Sequence, residues 1–306
     1  MDDRDAGRRM TEARAISALL DGLVDYAGLF PPAALAMPDA VAAYVRHGAG
    51  EARAKLGRFV LPVARLDEFV AAIDALPPGT GPGSNAPWRI SVLAGATDAP
   101  TLQAFDAAQG SRLVIDTVEA KADSIAAVDA LGRALGRRYF VYVEIPVRDD
   151  PARLVAAIGA AEFRAKIRTG GVVAEAFPAA SEVLRFIAAC ADARVPFKAT
   201  AGLHHPLRGE YPLTYEPGVA RGTMFGFLNV FLAAALLHAG ASRERLVDLL
   251  EERDPQAFSA DDDTIRWRDL TVTTAQVAAA RATFVGSFGS CSFDEPVREL
   301  STLHLA

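Results

Sequence analysis

From end to end, short runs rich in β-branched and aromatic residues alternate with Ala/Leu-rich stretches whose apolar residues recur every three or four positions. Parallel strands need a crossover of a dozen or more residues between them, and a helix of that length supplies it. The alternation therefore predicts a parallel α/β fold rather than separate α and β regions. Strands are predicted at 23–26, 58–63, 90–94, 113–118, 140–145, 164–168 and 196–200, with helices between them such as 66–75, 123–135, 152–160 and 179–191. An eighth strand is expected beside the Asp261-Asp262-Asp263 turn, at 257–260 or 265–267. Eight βα units in 306 residues match a closed (β/α)8 barrel of the TIM type. No Gly-x-Gly-x-x-Gly follows the first strand to favour an open dinucleotide-binding sheet. No linker divides the chain, since 77–87 reads as one long surface loop, so 1–306 is expected to be one barrel with an N-terminal helix and a C-terminal helical extension.

Composition narrows the function classes. A formal charge of −6, with no basic run longer than Arg8-Arg9 or Arg137-Arg138, removes the electrostatic basis for binding nucleic acid. Two cysteines, Cys190 and Cys291, are too few for a disulfide scaffold and fit a reducing compartment. The first fifteen residues carry acids and lack an apolar core, unlike a secretory signal, and the apolar stretch 224–237 is too short to span a bilayer. The expectation is a cytoplasmic protein that uses no membrane.

In such barrels the active site lies at the C-terminal ends of the strands. The polar residues predicted there are Asp25, Asp116, Glu119, Glu144, Lys166, Arg168, Lys198 and the pair His204 and His205. Of 32 basic residues only Lys55, Lys121, Lys166 and Lys198 are lysine, and lysine, unlike arginine, can lose its proton and become a nucleophile. Lys166 and Lys198 sit mid-strand on consecutive predicted strands, about 4.8 Å apart if they are at equal height. Two ammoniums that close disfavour each other's charge, which leaves one amine free to form a Schiff base with a carbonyl. Each lysine could equally pair with a barrel carboxylate such as Glu144.

The segment Lys166-Ile-Arg-Thr-Gly resembles the Lys-Thr-Ser-Thr-Gly strand of the deoxyribose-phosphate aldolases, and Lys198-Ala-Thr-Ala-Gly resembles that family's following Lys-Ala-Ser-Gly-Gly strand. Asp116 in Val-Ile-Asp-Thr-Val and Asp25 in Leu-Val-Asp-Tyr are similar in position to two of its aspartates. The resemblance implies that Lys166 forms the imine, Lys198 stays protonated beside it, and Asp116 relays protons. Arg168 stands where the family has a small hydroxyl residue, and Leu203-His-His-Pro replaces a Gly-rich turn that feeds its phosphate site. As longer strings, Asp-Tyr-Ala-Gly-Leu-Phe-Pro-Pro, Phe-Lys-Ala-Thr-Ala-Gly-Leu-His-His-Pro and Ser-Phe-Gly-Ser-Cys-Ser-Phe-Asp-Glu-Pro resemble a bacterial family without an assigned activity, from which no function carries over.

Three further features are singled out. His204 and His205 could bind a divalent metal with Glu144, Glu119 or Asp25, although adjacent residues of an extended chain point opposite ways; otherwise one faces the site as acid, base or donor. The stretch 286–296 reads as a Gly/Ser-rich turn into a C-terminal helix capped by Ser292 or Asp294; it offers amides to an anion beside Ser290, and Cys291 in it reads as a packed residue. The apolar helix at 225–237 has little polar face, which a subunit interface or the helix at 242–252 would cover. The expected activity is a Schiff-base, aldolase-like lyase acting on a small carbonyl substrate without a metal or cofactor. Its catalytic residues would be Lys166, Lys198, Asp116, Glu144 and Asp25, with Arg168, His204, His205, Glu119 and Ser290 binding substrate. The alternatives are a metal-dependent barrel enzyme and a barrel that binds a small ligand without catalysis.

Overall fold

Eight parallel strands hydrogen-bond into a closed ring in the computed structural model, which describes residues 12–81, 87–110 and 112–303. The first seven are β1 (Val24–Tyr26), β2 (Leu56–Pro62), β3 (Trp88–Leu93), β4 (Leu113–Lys121), β5 (Phe140–Glu144), β6 (Arg164–Arg168) and β7 (Phe197–Thr200). Outside the ring lie a hairpin of β8 (Gly209–Pro212) and β9 (Arg221–Met224) and an antiparallel sheet of β10 (Phe258–Ala260), β11 (Thr264–Trp267) and β12 (Leu270–Thr273). The ring closes through β13 (Val285–Ser290), which pairs parallel with β1 on one side and β7 on the other. The helices are α1 (Arg14–Leu20), α2 (Met37–Ala49), α3 (Leu66–Asp74), α4 (Ala99–Gln109), α5 (Ile125–Leu135), α6 (Ala152–Ala160), α7 (Ala180–Ala193), α8 (Phe227–His238), α9 (Arg243–Glu251), α10 (Thr274–Thr283) and α11 (Asp294–Thr302). This is the expected (β/α)8 architecture, with seven strands close to their predicted positions. Residues 1–11 and part of the expected 77–87 loop lie outside the described residues.

The eighth strand is a correction. Both segments expected to supply it, 257–260 and 265–267, belong instead to the β10–β12 sheet beside α1, α8 and α10. The strand itself is Val-Gly-Ser-Phe-Gly-Ser, read from sequence as part of a turn. Its glycines have a packing reason: a Cβ on Gly286 would stand 2.8 Å from both the Phe197 carbonyl oxygen and the Tyr142 hydroxyl. Close approach of a neighbouring backbone is what glycine in a strand interior permits. Composition suggested a loop, whereas the crowded barrel selected small residues.

The apolar helix α8 is buried at every residue from Phe227 to Leu236 and packs on α7, α9, α10 and β13. Its one polar residue there, Asn229, donates to the carbonyls of Leu249 and Glu252 at 2.8 and 2.9 Å. The chain covers this face by itself, so burial needs no second subunit. No helix among the described residues is long and apolar enough to cross a membrane.

Candidate active site

Strand register decides which side chains meet inside the ring. Lys166 and Lys198 are direct partners across β6 and β7, and Glu144 on β5 is the partner of Lys166 on its other side. These three side chains are buried together with Asp25 on β1 and Glu119 on β4. Charges so placed persist only when paired. Lys198 Nζ lies 2.6 Å from Asp25 Oδ2 and 2.7 Å from Glu119 Oε1, while Lys166 Nζ lies 2.8 Å from Glu119 Oε2 and 2.8 Å from Glu144 Oε2. The series extends both ways. Glu144 Oε1 receives Arg168 Nε at 3.2 Å, and Asp25 Oδ1 faces Arg58 Nη1 at 3.9 Å. Arg58 Nε in turn meets Asp116 at 2.9 Å, and Asp116 pairs outward with Arg89. Signs alternate without a break from Arg89 through the barrel to Arg168.

This arrangement replaces the repulsion expected between two bare ammoniums. Burial alone would lower the Lys198 pKa, but Asp25 and Glu119 outweigh it and hold the amine well above its usual range. Burial would raise Glu119, and the two lysines outweigh that and hold its carboxyl well below the usual value. Glu144 is likewise held low against burial by Lys166, Arg168 and Lys121. One oxygen of Glu144, Oε2, is buried and has the Lys166 ammonium, at 2.8 Å, as its one close polar neighbour among the described residues.

Above the charges lies a cavity of about 430 Å³ lined by Glu119, Glu144, Lys166, Arg168, Lys121, His204, His205, Cys291 and Glu295. Phe30, Pro31, Leu213 and Met224 give it an apolar side, and Tyr215 from the turn of the β8–β9 hairpin also borders it. A more open cavity of about 660 Å³ adjoins it and shares Lys121, Glu144 and Arg168.

Six of the ten site residues singled out from sequence therefore border one cavity: Lys166, Glu144, Glu119, Arg168, His204 and His205. Lys198 and Asp25 stand behind them without reaching it, and the Ser287 hydroxyl donates to Asp25. Asp116 is elsewhere. The pairing of β3 and β4 passes from Ile90 with Ile115 to Ser91 with Thr117, so Asp116 is the extra residue of a bulge, turned toward Arg58 and Arg89. Ser290 also misses the cavity, which Gly289 and Cys291 on either side of it do line; its hydroxyl accepts the Ser292 N–H at 3.4 Å.

The histidines face the C-terminal helix rather than the strand-end carboxylates. His204 Nδ1 lies 3.1 Å from Glu295 Oε2, and His205 Nδ1 lies 2.7 Å from Glu299 Oε2 while its ring stacks on Tyr211 at 3.4 Å between centroids. One nitrogen or oxygen each of His205, Glu295 and Glu299 falls within 4.8 Å of the others. Both carboxylates in that group already serve imidazoles as hydrogen-bond partners. Ser292 Oγ accepts the Glu295 N–H at 3.2 Å and caps the first turn of α11.

Sequence reasoning passes over Tyr215 and Glu295 as site residues, reads Cys291 as a packed residue and notes Lys121 only as one of four lysines, yet all four border the cavity. Glu295 meets His204 across 91 positions of chain, and no local pattern carries such a pairing. Comparison with family models, with curated proteins and with solved structures found no match.

Proposed function

We propose that the protein is a Schiff-base lyase that captures a small carbonyl compound on Lys166. The observation that carries this reading is the position of the Lys166 amine: a buried lysine bordering the cavity, held between Glu119 Oε2 and Glu144 Oε2 at 2.8 Å each. A carbonyl entering the cavity displaces the amine from its ion pairs, and its proton passes to Glu144. The neutral amine then adds to the carbonyl carbon, and loss of water, with a proton from Glu144, leaves an iminium. The bond between the carbons α and β to that iminium then breaks: a hydroxyl on the β-carbon gives its proton to Glu144 and that fragment leaves as an aldehyde, while the electron pair flows into the iminium as an enamine. Glu144 returns the proton to the enamine carbon, and hydrolysis releases the second carbonyl product and the amine. Lys198 and Asp25 position Glu119 from behind. Arg168 and Lys121 supply positive charge at the opening, which suits a substrate bearing a carboxylate or phosphate.

Borohydride reduction in the presence of small aldehydes and ketones, followed by intact-protein mass measurement, tests the assignment. A covalent adduct is expected in the wild type, retained in part by Lys198→Arg and lost in Lys166→Arg. An adduct that persists in Lys166→Arg, on Lys121 or Lys198, refutes the role given to Lys166, and no adduct with any carbonyl refutes the Schiff-base reading.

A further inference from the structure

The barrel places a second set of reactive side chains on the same cavity. Cys291 follows β13 directly and His204 follows β7 by four residues, and these two strands are neighbours in the ring. Glu295 comes from the first turn of α11. His204 Nε2 stands 4.0 Å from Cys291 Sγ, and its other nitrogen stands 3.1 Å from Glu295 Oε2. The Tyr215 hydroxyl touches both ends of the set, 3.6 Å from Sγ and 3.2 Å from Glu295 Oε2. All four side chains border the cavity.

We infer that Cys291, His204 and Glu295 form a second nucleophilic centre, a thiolate–imidazolium pair oriented by a carboxylate, which takes the acyl group of a small activated ester or thioester. Nucleophile, base and orienting carboxylate are each within reach of the next, and such contacts are often loose when no substrate is bound. Electrostatics agree with the geometry. Burial pushes the Cys291 thiol up, but His204, Tyr215 and the Ala33 amide outweigh it and bring it below its ordinary value. Burial would lower His204, but Cys291 and Glu295 raise it to about 10. Cys190, enclosed in α7, has only the burial and is pushed up. A thiolate held by an imidazolium in a partly enclosed pocket is the environment of reactive cysteines, not of packed ones.

The step balances without an oxidant or a second reagent other than water. The thiolate adds to the acyl carbon, a carbon–sulfur bond forms, and the bond to the leaving group breaks as that group takes the proton from His204 Nε2. Water then gives a proton to the neutral His204 and adds to the thioester, releasing the carboxylic acid and restoring the thiolate. The apolar side formed by Phe30, Pro31, Leu213 and Met224 suits an apolar acyl group.

The test uses the full chain with iodoacetamide at about pH 6, where an ordinary thiol is almost wholly protonated, and separately with p-nitrophenyl acetate. Alkylation of Cys291 is expected at least tenfold faster than that of N-acetylcysteine, and slowed about tenfold by His204→Gln. Glu295→Gln, which changes charge and hardly changes shape, is expected to slow it several-fold and serves if the histidine variant fails to fold. p-Nitrophenyl acetate is expected to give a burst of p-nitrophenolate and one acetyl group, which peptide mapping places on Cys291 and not on Lys166, and which is absent in Cys291→Ser. The position of the label separates this centre from the imine chemistry of Lys166. Labelling no faster than N-acetylcysteine, labelling unaffected by both His204→Gln and Glu295→Gln, or an acetyl group that persists in Cys291→Ser would overturn the inference.

Discussion

Lys166 and Lys198 are register partners on adjacent strands, and the two oxygens of one carboxylate, that of Glu119, divide between their amines at 2.8 and 2.7 Å. Glu119 is thus the middle of the five buried charges, with Lys198 and Asp25 on one side and Lys166 and Glu144 on the other. The pairing explains how a barrel interior accommodates two lysines that like-charge repulsion would otherwise set against each other.

Removing that central charge leaves both amines with one fewer carboxylate in a buried place. Glu119→Gln keeps the shape and is expected to lower unfolding free energy by about 3 kcal/mol, the usual cost of orphaning a buried ion. Urea denaturation measures it. A midpoint unchanged from wild type would mean that Asp25 and Glu144 suffice for the two lysines.

The same series sets a pH window for stability. Glu119 and Glu144 have carboxyl pKa values depressed in the fold, so their contribution is in place above the unfolded value of about 4.3 and is lost as pH falls through the folded values. Lys198 is raised, so its contribution is complete below about 10.4 and is lost as pH climbs through its folded value. Urea midpoints are expected to be level between these limits and to fall on either side. Glu119→Gln should shallow the acid arm, and an acid arm identical to that of the wild type would remove Glu119 from this account.

Much of this was legible in the chain because barrel strands and helices carry different periods, and because a charge inside an apolar run announces itself. Lys166, Lys198, Glu119 and Glu144 were recognisable on that ground alone. The strand Val285–Ser290 was not, since its glycines answer to the Phe197 backbone and the Tyr142 hydroxyl, neither of which is local. Asp116 resembled a strand-end carboxylate until a bulge turned it toward two arginines. Cys291 looked inert because the groups beside its sulfur come from distant segments, His204 87 and Tyr215 76 positions away. Period and composition report on faces, whereas side-chain constellations depend on which strands the ring brings together.

Arg168 tests the sign of the substrate. It is 47% exposed on its side chain and shared with Glu144, so its attraction for an anion is screened and worth about 1 kcal/mol. Arg168→Gln is expected to slow borohydride trapping of pyruvate about fivefold while leaving trapping of acetone unchanged. Equal effects on both carbonyls would assign Arg168 to holding Glu144 rather than to binding substrate charge.

The eighth strand can be tested with two glycines of opposite consequence. At Gly286 an added methyl group would press on the Phe197 carbonyl and the Tyr142 hydroxyl at 2.8 Å and stand 3.4 Å from the Lys198 Cβ, so either β13 or β7 must shift. Overpacking of this kind costs about 1–3 kcal/mol. At Gly132, inside α5, a methyl group would meet nothing within 4 Å, and the helix would lose the excess backbone freedom that glycine brings to the unfolded chain. That change stabilises by about 0.4–1 kcal/mol. Thermal unfolding should therefore move down in Gly286→Ala and up in Gly132→Ala. Because Lys198 lies beside the crowded position, Gly286→Ala should also reduce borohydride adduct formation on Lys166, while Gly132→Ala should leave it alone. A Gly286→Ala protein as stable as wild type would contradict the close approach of β13 to β7 and with it the closure of the barrel through Val285–Ser290.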